Sequence, residues 1–132
     1  MEPIKVNILI RQGASYRGKS LLLAGDYSDW EFAWQIKRKH KGTLLAEGDF
    51  EIVNDDFLIG SVNYENHTLI TPIMVYQTTT LLPAAMGNIV GRDAWVYDCE
   101  MKSPDGLIVH RFFEGLVNVS PEVTTEVIPD GN

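Results

Sequence analysis

Large apolar residues recur at every second position along most of this chain, the spacing that sends one face of a strand inward and the other outward. Ile4, Val6, Ile8 and Ile10 alternate with Lys5, Asn7 and Leu9 until Gly13 ends the run. A second apolar run, Leu21 to Ala24, stops at Gly25-Asp26. Trp30, Phe32, Trp34 and Ile36 then alternate with Glu31, Ala33, Gln35 and Lys37. Helical spacing would scatter those four residues round a cylinder, so the segment predicts a strand. Residues 43–53 predict a strand interrupted at Gly48, and residues 57–63 another, with Asn54-Asp55-Asp56 as the turn between them. Residues 68–76 are rich in β-branched side chains, and Pro72 inside them points to an edge strand or a bulge. The pattern breaks at 78–86, where threonine as a cap followed by Leu-Leu-Pro-Ala-Ala-Met predicts a short helical turn with Pro83 in its first turn. Gly87 and Gly91 flank a loop. Trp95, Tyr97, Cys99 and Met101 form the inner face of a final hairpin. Its turn is Ser103-Pro104-Asp105-Gly106, and its return strand, Leu107 to Val119, carries an expected bulge at Gly115.

Seven to eight such strands predict an all-β protein, and the half-polar faces predict an antiparallel immunoglobulin-like β-sandwich with one short helical turn near 79–86. The domain spans 1–120, and residues 121–132, beginning at Pro121, read as an acidic C-terminal tail. At 132 residues the chain is long enough to bury a core without help from a metal or disulfide. The opening residues carry no secretion signal, and no apolar run approaches the ~20 residues of a membrane-spanning helix. The reading is therefore a soluble chain made without a leader.

Charge changes the picture more than composition does. The net charge of −7 speaks against general nucleic-acid binding. Residues 1–41 nevertheless hold eight Lys/Arg against four acids, while residues 42–132 hold three against fourteen. Half of the basic excess is the run Lys37, Arg38, Lys39 and Lys41 around His40. A solvated turn explains such a run most simply, and a positive patch facing an acidic surface on another protein is the functional reading. These four residues, with Glu122 and Glu126 in the tail, are the candidate assembly contacts. No aromatic residues are interleaved with the basic ones, as single-stranded nucleic acid would require.

Catalytic signals are missing from the pattern. His40, His67 and His110 lie on separate segments, and Cys99 alternates with core residues, so neither metal-ligand spacing nor an activated thiol is evident. No nucleophile elbow or phosphate-cradling glycine loop occurs. Asp55-Asp56 is a turn pair, and Asp98 with Glu100 shares a strand face at ~7 Å without other glycosidase features. The sequons at Asn66 and Asn118 read as chance. No catalytic, cofactor or metal residue is assigned, and no cofactor is expected.

Three segments carry a resemblance. DYSDWEFAWQIK (26–37) resembles a D-L-T-G-aromatic segment of short β-sandwich virion proteins from tailed bacteriophages, and VYDCEMKSPDGLIVHRFFEGLVNVSPEVT (96–124) resembles their C-terminal hairpin. RQGASYR (11–17) is similar to their opening. The matching positions include Asp26, Trp30, Ile36, Tyr97, Asp98, Glu114, Gly115 and Val117 to Thr124, apart from Asn118. Cys99 replaces the usual leucine and Asp29 the usual glycine. The resemblance implies a non-enzymatic virion component, similar to the immunoglobulin-like N-terminal domains that tether receptor-binding modules to baseplates. It implies partners that are other virion proteins and further copies of the chain, with no nucleic acid, membrane or small-molecule substrate. Such proteins are assembled in the host cytoplasm and reside in the particle, in the tail, baseplate or fibre-attachment region. Strands 4–10 or 68–76 would offer free edges for pairing, and the tail from Glu122 onward would order on assembly. The alternatives are a capsid decoration or cement protein and, from a different class, a carbohydrate-binding module using the tryptophans.

Overall fold

Trp34 and Ile36 are fully buried, and the strand that carries them, β5 (Glu31–Lys37), lies near the middle of the sheet. The computed structural model describes residues 2–85 and 94–122. Among these, nine strands occur: β1 (Ile4–Lys5), β2 (Ile8–Arg11), β3 (Tyr16–Arg17), β4 (Leu21–Ala24), β5, β6 (Leu44–Ile59), β7 (Val62–Met74), β8 (Trp95–Lys102) and β9 (Val109–Ser120). One helix, α1 (Tyr76–Leu81), follows β7. The protein is all-β, as the alternation predicts. The strand order is β1-β9-β8-β5-β6-β7-β3, with β2 also on β9 and β4 also on β7. The sheet is mixed rather than wholly antiparallel, because β1 and β2 both run parallel to β9.

The sheet curls through β6. Residues 44–48 of this strand pair with β5, whereas residues 49–59 pair with β7, so one strand serves two ladders. Gly48 sits at the changeover. A β-carbon there would stand 2.0 Å from Cε2 of Trp34, whose indole N–H donates to the Asp49 carbonyl at 2.8 Å. The missing side chain is thus the space the tryptophan occupies. Behind it, Tyr16 and Tyr97 hold the Trp34 ring at centroid distances of 5.9 and 6.1 Å, and Phe32, Phe50 and Phe112 close the other end of the core.

Several expectations are corrected. Asn54-Asp55-Asp56 is no turn: β6 runs through it, and the chain reverses at Gly60-Ser61 between the paired Ile59 and Val62. Gly60 takes the positive φ (61°) that such a two-residue hairpin loop needs. The polar side chains at 54–56 serve a bulge instead. Asn54 Nδ2 donates to the carbonyls of Gly25 and His67, and Asp56 accepts the Asn66 N–H at 2.8 Å. Residues 68–74 are not an edge, since β7 has β6 on one side and β3 and β4 on the other. Pro72 is tolerated there because its carbonyl accepts the Gly18 N–H at 2.8 Å. A strand residue's N and O point the same way, so the missing donor faces the gap between β3 and β4.

The helical turn lies earlier than 79–86. Pro83 follows the helix rather than opening it, and Leu82 before it is extended (φ −70°, ψ 129°), the conformation that a following proline enforces. The bulge expected at Gly115 sits at Phe112, the extra residue between the pairs Cys99–Phe113 and Glu100–Arg111. The insertion lets two successive phenylalanines be buried where a regular strand would send them to opposite faces. Gly115 instead makes room for another strand, because a β-carbon there would lie 2.3 Å from the Val6 carbonyl oxygen. The 4–10 strand divides at this crossing into β1 and β2, and only Ile10 of its four alternating apolar residues is fully buried. Trp30 precedes β5 rather than belonging to it.

Candidate functional site

The basic run forms the turn between β5 and β6. Lys37 ends β5, and residues 38–43 reverse the chain with the Arg38 N–H donating to the Thr43 carbonyl (3.1 Å) and the Gly42 N–H to the Lys39 carbonyl (2.8 Å). Lys41 adopts a left-handed φ of 59°. Arg38, Lys39 and Lys41 are exposed, and no acid interrupts 37–43. The Arg38 guanidinium lies 5.0 Å from the ring centroid of Trp95, a cation–π arrangement that fixes one charge of the patch. Trp95 is itself anchored by its indole N–H on the Pro83 carbonyl at 2.8 Å.

Beside the turn lies a cleft of about 250 Å³ whose lining includes Lys37, His40, Lys41, Tyr97, Asp98 and Arg111. A second, of about 180 Å³, shares His40 and Val96 and is bordered by Lys5 and Glu114. Arg111 stands 3.5 Å from both Asp98 and Glu100, exposed pairs worth at most about 1 kcal/mol each. The turn therefore adds positive charge to a rim where Asp98 already faces Arg111.

The structure does not bring Glu122 to this patch. Its backbone N–H donates to Gln12 Oε1 at 3.0 Å, its carboxyl approaches Gly13, and Gln12 Nε2 in turn donates to the Leu82 carbonyl at 2.7 Å. Glu122 thus belongs to the 12–13 turn. Glu126, the remaining tail and the Gly87/Gly91 loop lie outside the described residues. His67 Nδ1 lies 2.8 Å from the Glu65 carbonyl oxygen and His110 stacks on Trp30, and among the described residues no three His, Cys, Asp or Glu gather as metal ligands. Of the three tryptophans considered for a sugar platform, Trp34 is sealed, and Trp30 and Trp95 are half-buried against the core.

Sequence reasoning missed an exposed apolar arm. β5 leaves β6 after Gly48, and β4 meets β7 only at 67–70, so residues 57–64 form a two-stranded arm that no further strand pairs with among the described residues. Phe57, Ile59, Val62 and Tyr64 share one face of it, while Leu58 on the other is 73% exposed. Asp55, Asp56 and Glu65 flank the arm with no Lys or Arg between residues 42 and 91. The signal was the Gly60-Ser61 pair between Ile59 and Val62, which the stronger-looking Asn-Asp-Asp obscured.

No protein-family model matches this chain. No curated protein matches it either.

Cys99 is fully buried, and desolvation pushes its thiol well above the ordinary value of 9.0, with nearby Asp98 adding to the shift. Burial likewise raises Tyr97, whose phenol donates to the Val6 carbonyl at 2.5 Å, and raises Tyr16 from 10.0 to about 12. These are core groups held neutral. The unfolded chain would release their protons first, so the folded state binds more protons above pH ~9 and stability must fall as pH rises. Urea midpoints are expected to be level up to the ordinary thiol value of 9.0 and to decline from there towards about 12, where Tyr16 ionises in the folded state. A midpoint that stays constant across that window would contradict the burial of these groups.

Proposed function

We propose that this chain is a non-enzymatic structural component of a tailed-phage virion, placed in the tail, baseplate or fibre-attachment region and acting through protein–protein contacts. The observation that carries the reading is the apolar-faced arm at 57–64, which among the described residues pairs with no strand beyond its own two. Two-stranded ribbons are marginal alone in water, and an exposed one with an apolar face is suited to being covered by another protein. The resemblance to phage virion proteins adds the context. Its two longer segments occupy β5, β8 and β9, which are neighbours in the sheet, so the likeness maps to one continuous surface rather than to scattered strands. We read the curled layers joined by β6 as a variant of the immunoglobulin-like sandwich with a parallel edge. The free side of β1 and β2 and the basic turn are further contact surfaces.

The test is particle composition. Mass spectrometry of purified virions from the encoding phage is expected to find the chain at a fixed copy number, with labelled particles placing it at the tail. Its presence in the lysate but not in particles would remove the proposal, and labelling over the capsid would favour a decoration protein instead. Lys37→Glu with Arg38→Glu is expected to lower incorporation at least tenfold, since like charges at a contact suppress association. Incorporation indifferent to that reversal would remove the basic turn from the contact set.

A further inference from the structure

The basic turn and the arm are the two ends of one strand. β6 begins at Leu44, directly after the turn, and ends at Ile59 in the arm, a contour of about 50 Å at ~3.3 Å per residue. The turn 37–43 carries four positive charges and no acid; the arm and its base, 54–66, carry Asp55, Asp56 and Glu65 and no Lys or Arg. The surrounding loops extend the asymmetry. The Gly25 N–H donates to the Asn66 carbonyl at 2.7 Å, which brings the loop with Asp26 and Asp29 to the base of the arm. The pairs Glu31–Lys102 and Lys37–Val96 put the 103–106 turn, with Asp105, at the end of β5 opposite the basic turn.

We infer that copies of this chain associate head to tail, the acidic arm of one seated against the basic turn of the next. This rests on the assembly reading above and names its partner as a second copy. The chemistry fits on two counts. The charges are complementary, four positive against three negative. The aliphatic stems of Lys37, Lys39 and Lys41 can cover apolar surface while their ammonium groups reach acids, which suits a tip where Leu58, Ile59 and Val62 stand between Asp55 and Glu65. The cleft of about 250 Å³ beside the turn already holds Asp98 facing Arg111, and Lys37 and Lys41 on its walls are the cations that an incoming carboxylate would meet. Arm on arm and turn on turn would each juxtapose like charges, so the arm of one copy meets the turn of another, and the rotation between copies decides between a closed dimer or ring and a filament.

Sedimentation velocity on the purified full chain tests this. At about 10 mM salt, where the Debye length is ~30 Å, concentration-dependent oligomers are expected, and at about 1 M salt monomers. Asp55→Lys with Glu65→Lys in the arm, or Lys37→Glu with Lys39→Glu in the turn, should each weaken self-association at least tenfold. Mixing the two variants should restore one contact, the unaltered arm of the turn variant on the unaltered turn of the arm variant, so heterodimers are expected; that recovery also shows both variants to be folded. Wild-type chain that stays monomeric at low salt overturns the inference, as does association unaltered by either reversal or no recovery on mixing. So does an arm that binds a different particle protein while the chain remains monomeric. Incorporation into virions without self-association would end this inference and leave the assembly proposal standing.

Discussion

Gly48→Ala is expected to destabilise the protein by about 3 kcal/mol, at the upper end of what overpacking a core costs. The added methyl would sit 2.0 Å from Cε2 and 2.1 Å from Nε1 of Trp34. The ring has nowhere to go: it is 1% exposed, flanked by Tyr16 and Tyr97 and tied by its N–H to Asp49. Relief would need β6 to leave β5 at the point where it changes partner. Urea unfolding followed by tryptophan fluorescence should show a lower midpoint at unchanged slope. Trp34→Leu, a cavity-forming change, should cost a similar amount by itself, yet the double variant should be no worse than Trp34→Leu alone, since the methyl then enters the vacated space. Additive losses would mean that Gly48 and Trp34 do not oppose one another.

Gly115→Ala is the second large effect, about 2–3 kcal/mol, and its character differs. Here the obstacle is backbone, the Val6 carbonyl at 2.3 Å, which cannot rotate away as a side chain can. The N-terminal strand must lift from β9, breaking the Val6 N–H bond to the Glu114 carbonyl (2.9 Å) and the Leu116 N–H bond to Asn7 Oδ1 (3.0 Å). The Tyr97 phenol would lose its acceptor at Val6 as well. Hydrogen exchange should report the loss locally: the Val6 and Leu116 amides exchange faster than in wild type, while the Trp34 amide changes only with global stability. An unchanged midpoint with Val6 still protected would refute the close approach.

How much of this was legible depends on the residue. Trp34 and Ile36 announce their strand because alternation of bulky and polar groups has one geometric meaning, and the run from Trp95 to Met101 does so equally. Ser103-Pro104-Asp105-Gly106 was readable because each residue supplies a local device: Gly106 takes φ 76°, and Asp105 accepts from Ser103 Oγ and the Leu107 N–H. Asn54-Asp55-Asp56 has the same vocabulary but spends its hydrogen bonds across a ladder, on Gly25, Asn66 and His67, and only tertiary structure distinguishes the two uses. The parallel direction of β1 and β2 leaves no trace in periodicity, which records faces and not partners. Gly115 breaks the alternation, but the Val6 backbone that demands a glycine there is remote in sequence and leaves no local trace.

The candidate site divides in the same way. The basic turn was visible as a run of charge because its residues are consecutive. Its opposite number was hidden: the acids of the arm are separated by apolar residues, and they become one feature only when β6 and β7 fold back on each other. Glu122 is held by Gln12, 110 residues away, an attachment that no local pattern shows.

β6 has a mechanical consequence. Hydrogen bonds between strands run perpendicular to the strand axis. Tension entering at the arm and leaving at the basic turn would run along the covalent backbone of β6, so no hydrogen bond between strands need break to carry it. A string of such units would resist stretching best along the line that joins one copy to the next.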